Sequence, residues 1–187
     1  MIKRLFDFFL ACLLSIILSV LILTVASMVA LTSKGSVLYW TERVGRNNAL
    51  FKMPKFRSMY VDTPEVATHL LKNASQYLTP IGSFLRKSSL DELPQLWSIL
   101  KGDMSFVGPR PALFNQYDLI ELRSNYGVDK IPPGLTGWAQ INGRDELKIQ
   151  EKALLDFYYI KHQSFMLDLK IIYITILKVI CKDGIKH

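Results

Sequence analysis

Three stretches of the chain put charged side chains beside residues that fix the backbone. Leu85-Arg-Lys-Ser-Ser-Leu-Asp-Glu-Leu-Pro-Gln95 sets Asp91 next to Glu92, just ahead of Pro94. Gly108-Pro-Arg-Pro111 holds one guanidinium, that of Arg110, between two prolines, and Lys52-Met-Pro-Lys-Phe-Arg57 places Lys55 and Arg57 after Pro54. Arginine meets a phosphate bidentately, and flanking prolines limit the entropy lost when it does. Together with Arg86, the cations Lys55, Arg57 and Arg110 point to a site for a diphosphate. A carboxylate ionised beside such cations suits a nucleophile or a metal ligand, and Asp91 is the candidate for both.

Local structure decides how the two acids sit. Ser89-x-x-Glu92 is a capping-box pattern, which makes Glu92 a structural residue. That frame puts Pro94 at the fifth helical position, where its missing N–H matters. With Asp91 as the cap, Pro94 falls in the first turn at no cost. Either way Asp91 lies at a helix start, where the macrodipole favours an ionised carboxylate.

Other chemistries are poorly served. His69, His162 and His187 are scattered without partner spacing, and no Walker-type or dinucleotide glycine loop occurs. Cys12 and Cys181 stand at opposite ends of the chain, which excludes a disulfide framework or a four-cysteine zinc site.

The elements that must position these groups begin with an apolar run. The chain has 187 residues, is 50% apolar and carries a net charge of +7, yet residues 8–33 hold no charge at all. As one helix that run rises roughly 39 Å, enough for a hydrocarbon core of ~30 Å. It is too long for the h-region of a signal peptide. Lys3 and Arg4 precede it, and Lys34, Arg43, Arg46, Lys52, Lys55 and Arg57 follow. Both flanks prefer the cytoplasmic side, which a bent, re-entrant helix satisfies and a straight one does not. The run has no proline, so Ser15, Ser19, Thr24 and Ser27 are left to bend it by bonding back to preceding carbonyls.

Beyond it, short strands are expected at 37–40 and 51–60, the second an edge because of Pro54. Helices are expected at 64–74, 93–100, 112–125 and 150–159, with a helix or turn at 80–86. Gly/Pro-rich loops are expected at 105–111 and 132–143. The last helix, 165–182, spaces Lys170, Lys178 and Lys182 by multiples of four, which fits an interfacial amphipathic helix with lysines toward anionic headgroups. A buried core helix fits as well. The fold class is mainly α with a few short β strands (α+β), not a doubly wound sheet. An anchor, residues 1–33, precedes a compact domain, residues 34–187.

The runs 85–96, Leu100-Lys-Gly-Asp-Met-Ser-Phe-Val-Gly-Pro-Arg-Pro111 and Pro133-Gly-Leu-Thr-Gly-Trp-Ala-Gln-Ile-Asn-Gly-Arg144 resemble the bacterial sugar transferases, the small monotopic phosphoglycosyl transferases. The resemblance extends from Arg4-Leu-Phe-Asp7 to Ser164-Phe-Met-Leu-Asp-Leu-Lys170. It implies transfer of a sugar 1-phosphate from a UDP-sugar to polyprenol (undecaprenyl) phosphate, with release of UMP and a requirement for Mg²⁺. It gives Asp91 the role of covalent nucleophile and metal ligand, with Glu92 as its catalytic partner. Arg86 and Arg110 then meet the diphosphate, with Lys55 and Arg57 nearby. It also implies a place on the cytoplasmic face of the bacterial inner membrane, and leaves open a homodimer and the identity of the sugar. One departure stands out: the family's Ser-Pro bend in the membrane helix is Ser19-Val20 here.

A second reading is non-catalytic, a basic membrane-anchored module that binds anionic lipid or assembly partners. It accounts for the charge but not for an Asp-Glu pair amid phosphate-binding residues. Nucleic acid is not expected, because aromatic and basic residues do not interleave on one face.

Overall fold

The fold is that of a computed structural model, described over residues 2–64, 73–143 and 147–181. The helix expected at 64–74 falls mostly outside the described residues, as do His69, Arg144, Lys182 and His187.

The apolar run forms two helices, α1 (Ile2–Ile17) and α2 (Ser19–Thr32), bent by 64° about Leu18. The bend needs no proline: Leu18, with ψ at 5°, leaves helical geometry. Thr24, Ser27 and Thr32 donate back to the carbonyls of Val20, Leu23 and Met28, at 2.8, 2.9 and 2.6 Å. No single helix among the described residues is long and apolar enough to cross a membrane.

The start of α1 is tied down by polar bonds. Arg4 donates to the carbonyls of Ile99 and Leu100, in the last turn of a helix. Asp7, buried, accepts the Phe106 backbone N–H at 3.2 Å. Lys3 pairs with Asp168 at 2.6 Å, and Asp168 also accepts the Tyr159 hydroxyl at 2.7 Å. Burial and Asp168 together raise the Tyr159 pKa, so the phenol stays a proton donor. Each buried charge of this network has a partner, as burial requires.

Next comes an antiparallel hairpin, β1 (Leu38–Val44) and β2 (Leu50–Phe56), turned at Arg46–Asn48. Asn47 and Asn48 take positive φ there, a conformation asparagine tolerates. The first strand is longer than expected and the second stops short of residue 60. Pro54 sits opposite Trp40, tolerated because a two-stranded ribbon has only edges.

The acid-bearing segment follows α3 (Gly82–Lys87). Leu90–Gln95 is a 3₁₀ helix that passes directly into α4 (Leu96–Lys101). Gly102, at φ 101°, ends α4 in the left-handed conformation that favours glycine.

The loop expected at 105–111 contains a strand, β3 (Ser105–Val107), paired parallel with β4 (Gly134–Thr136) from the loop expected at 132–143. Sequence alone missed this because each strand is three residues long and its partner lies some thirty positions away. The glycines of the two motifs make the contact. A Cβ on Gly134 would lie 2.1 Å from the Gly108 nitrogen, and one on Gly137 would lie 2.0 Å from the Gly108 carbonyl oxygen.

Among the described residues four α-helices follow: α5 (Tyr117–Asn125), α6 (Trp138–Ile141), α7 (Ile149–Lys161) and α8 (Phe165–Cys181). The helix expected from residue 112 thus starts five residues later. One apolar core joins Ala11, Met53, Leu96, Ile99, Tyr159 and Ile171; a second packs Val25 and Val29 of α2 on Phe56 and Leu85. In α8 the lysine stripe is broken. Lys178 turns inward and donates to the Ile141 carbonyl at 2.8 Å.

Gly134→Ala and Gly137→Ala are each expected to destabilise the protein by about 1–3 kcal/mol or more, because backbone must move to admit the methyl. Thermal unfolding of the detergent-solubilised chain checks this.

Candidate active site

One face of the hairpin builds the first wall. Side chains alternate along a strand, so Tyr39, Thr41 and Arg43 share a face, and the register puts Lys55 opposite Tyr39 on it. The 3₁₀ helix packs on β2 and lowers Asp91 and Glu92 against that face. Both capping frames fail here. Ser89 is left-handed, at φ 57°, and makes no side-chain cap bond, while Asp91 lies inside the 3₁₀ helix.

The Glu92 side chain is instead the centre of an ion-pair cluster. Its Oε1 accepts Lys55 Nζ at 2.7 Å and Arg110 Nη2 at 2.8 Å. Burial alone would raise the Glu92 pKa, but Arg110 and Lys55, by charge and by hydrogen bond, hold it well below the usual carboxylate range. Asp91 is the opposite case. It is 8% exposed, its nearest cation is Lys55 at 3.9 Å, and burial raises its pKa despite Lys55, Arg86 and Arg110. Two adjacent acids thus differ: one is locked into ion pairs, the other keeps its oxygens free of short bonds among the described residues.

The dyad separates two cavities. The first, of about 220 Å³, is polar, lined by Asp91 with Arg43, Lys55, Arg57 and Arg86 and by Tyr39 and Thr41. The second, of about 610 Å³, is a groove reached by Glu92 and Arg110 at its polar end. Leu10 and Leu14 of α1, with Leu18 at the bend, face Ile172, Ile176 and Val179 of α8 across it.

Of the residues expected from sequence, the structure brings Asp91, Glu92, Lys55, Arg86 and Arg110 together. Arg57 lines the polar cavity, but its guanidinium donates to the Ser36 carbonyl and hydroxyl at 2.7 and 2.9 Å. Arg86 reaches the same cavity and contacts the Met59 sulfur at 3.1 Å. Among the described residues no three His, Cys, Asp or Glu side chains cluster as a metal cage.

Sequence reading missed three residues. Arg43 lines the polar cavity, and the Thr-Glu-Arg alternation in a strand that reached residue 44 was the signal for it. Arg123 and Asp156 had no local signal. Arg123 donates through Nε and Nη2 to Asp156 at 2.9 and 2.6 Å, and through Nη1 to the Arg110 carbonyl at 2.8 Å. This buried pair, from α5 and α7, holds the backbone of the loop that carries Arg110.

A sequence model of the family described as bacterial sugar transferase matches residues 1–182. The uncharacterized sugar transferase EpsL of Bacillus subtilis (strain 168) is 40% identical over 185 residues, covering 99% of this chain and 90% of the relative. An undecaprenyl-phosphate glucose phosphotransferase of Komagataeibacter xylinus is 41% identical over 185 residues, 93% of this chain but 35% of the relative. A UDP-glucose:undecaprenyl-phosphate glucose-1-phosphate transferase of Escherichia coli (strain K12) is 39% identical over 186 residues, 95% and 40% of the two chains. The chain therefore spans most of EpsL and two fifths or less of the two longer relatives.

Arg123→Met is expected to cost about 3–5 kcal/mol, the loss typical of a buried pair stripped of one partner. The pH dependence has a definite sign. Burial already raises the Asp156 pKa against the opposing pull of Arg123; without Arg123 it rises further. The variant's deficit should then be smallest below about pH 4, the ordinary pKa of an unfolded aspartate, and grow as pH rises toward the raised folded pKa. Thermal unfolding between pH 4 and 8 reads it.

Proposed function

The chain belongs to the bacterial sugar transferase family, and on that premise we propose that it moves a sugar 1-phosphate from a UDP-sugar to polyprenol phosphate through an Asp91–phosphosugar ester. One observation carries the reading: Asp91 and Glu92 lie between a cation-lined cavity and an apolar groove. The first suits a diphosphate, and the second suits the prenyl chain of the acceptor. The undecaprenyl-phosphate transferases among the relatives are named for such an acceptor.

The steps balance without redox chemistry. An Asp91 carboxylate oxygen attacks the sugar-bearing phosphorus, and the bond to the UMP phosphate breaks, its electron pair leaving with UMP. A phosphate oxygen of polyprenol phosphate then attacks the same phosphorus. The Asp91–phosphorus bond breaks, the carboxylate is restored, and the sugar leaves on a polyprenyl diphosphate. Glu92 acts by holding Lys55 and Arg110 in place, since phosphoryl transfer is largely positioning and charge neutralisation. Mg²⁺ fits this donor set, because it binds through one or two carboxylates plus substrate phosphates and needs no protein cage. Asp91 would hold it, and the ion would neutralise diphosphate charge.

We place the domain on the cytoplasmic face of the bacterial inner membrane, with the bent α1–α2 pair as a re-entrant anchor. Arg4, near the start of α1, bonds the end of α4, while Val25 and Val29 of α2 pack on Phe56 and Leu85. Both ends of the pair thus hold the same body, which supports entry and exit on one side; a crossing would part them by ~30 Å. Met166, Leu169, Tyr173, Ile176 and Leu177 form an exposed apolar stripe on α8, consistent with a helix lying in the lipid interface.

Asp91→Asn is expected to abolish UMP release from a panel of UDP-sugars, and the wild-type chain, but not the variant, should gain one phosphosugar in mass. EDTA should stop the reaction and Mg²⁺ restore it. Full activity in Asp91→Asn, or no turnover in the wild type with any donor, leaves the non-catalytic lipid-binding reading. For topology, Ile2→Cys and Lys34→Cys, in a chain without Cys12 and Cys181, should both label from the cytoplasmic side. Labelling from opposite sides would make the anchor a span.

A further inference from the structure

Arg43 is a cation without a counterion. It sits on the cavity-facing side of β1, and among the described residues no carboxylate lies within 4 Å of it. Its Nη1 donates to the Pro111 carbonyl at a long 3.3 Å, and its Nε is buried with no partner. The neighbouring charges do not compensate. Glu92, the acid whose field reaches Arg43, is already shared by Lys55 and Arg110. Burial and then Arg110 pull the Arg43 pKa down to about 10, with Glu92 and Tyr39 opposing. An arginine kept charged in such a place, beside a second arginine, destabilises the empty protein and is relieved by a bound anion.

We propose that Arg43 is a ligand for the donor's diphosphate, completing with Lys55 and Arg86 the cationic wall of the cavity that Asp91 also lines. The proposal rests on the reading of this cavity as the UDP-sugar site. The fork of a guanidinium suits it to bridge phosphate oxygens, which the ammonium of lysine contacts only as a point charge. Without Arg43 the cavity loses one of the four cations that line it.

A merely structural role is the competing account, because the bond to Pro111 helps to hold the loop that carries Arg110. The two accounts differ in sign for the empty protein. If Arg43 waits for an anion, Arg43→Met leaves the unliganded chain as stable as wild type or more so. If it props the loop, the same change lowers the melting temperature.

The test measures UDP, UMP and uridine binding by calorimetry on the full chain in nanodiscs with Mg²⁺, alongside melting without nucleotide. Arg43→Met should weaken UDP at least tenfold and UMP less, leave uridine unchanged, and raise the donor KM of the first half-reaction more than it lowers its kcat. Arg43→Lys should recover part of the UDP affinity. Unchanged UDP affinity in Arg43→Met, or a loss that is equal for uridine and accompanied by a lower melting temperature, overturns the proposal. Wild-type protein that binds no UDP while remaining folded overturns the donor-site reading instead, so the two failures are distinguishable.

Discussion

The Glu92 carboxylate is the constraint on which the site depends. Its Oε1 accepts one hydrogen bond from Lys55 on the hairpin and another from Arg110 on the loop between β3 and α5. Three segments far apart in sequence therefore meet at one oxygen. Burying a charged cluster is costly, and the cost is offset only when geometry and hydrogen bonds are complete. Here the local charges of Glu92 are over-compensated, and its pKa falls well below the ordinary range. The cost appears next door: Asp91 is left with a raised pKa and Arg43 with a lowered one. A surplus of positive charge remains around the one acid not engaged in short bonds, the electrostatic form expected of a site that receives an anion.

Supports radiate outward from that oxygen. Arg123 and Asp156 fix the backbone beneath Arg110, and the close approach of Gly108 to Gly134 and Gly137 locks the loop from the other side. At the opposite edge, Lys3, Arg4 and Asp7 fasten α1 to α8, α4 and β3. The leucines of α1 form the groove wall because those polar bonds set where the helix lies. A side chain in the first turns of α1 thus controls the shape of the apolar space reached by Glu92 and Arg110.

The 64° bend shows how local chemistry and packing divide the task. Serine and threonine back-bonding is present along α2, yet the break itself falls at Leu18, which carries no polar group. Packing at both ends, Arg4 on α4 and Val29 against Phe56 and Leu85, supplies what a proline would have supplied locally.

Much was legible before the fold was known: the predominance of helix, the uncharged N-terminal run, and the acids and cations of the three motifs. These follow from composition, spacing and backbone preference, which act over a few residues. Neither capping frame, at Ser89 or at Asp91, is met, because a capping box presumes an α-helix and Leu90–Gln95 is 3₁₀. The parallel pairing of β3 with β4, the inward turn of Lys178, the buried Arg123–Asp156 pair and the exposure of Arg43 to the cavity had no local signature. Charge identity is written in the sequence, but whether a charge is buried, paired or left facing a cavity depends on groups that only tertiary packing brings within a few ångströms.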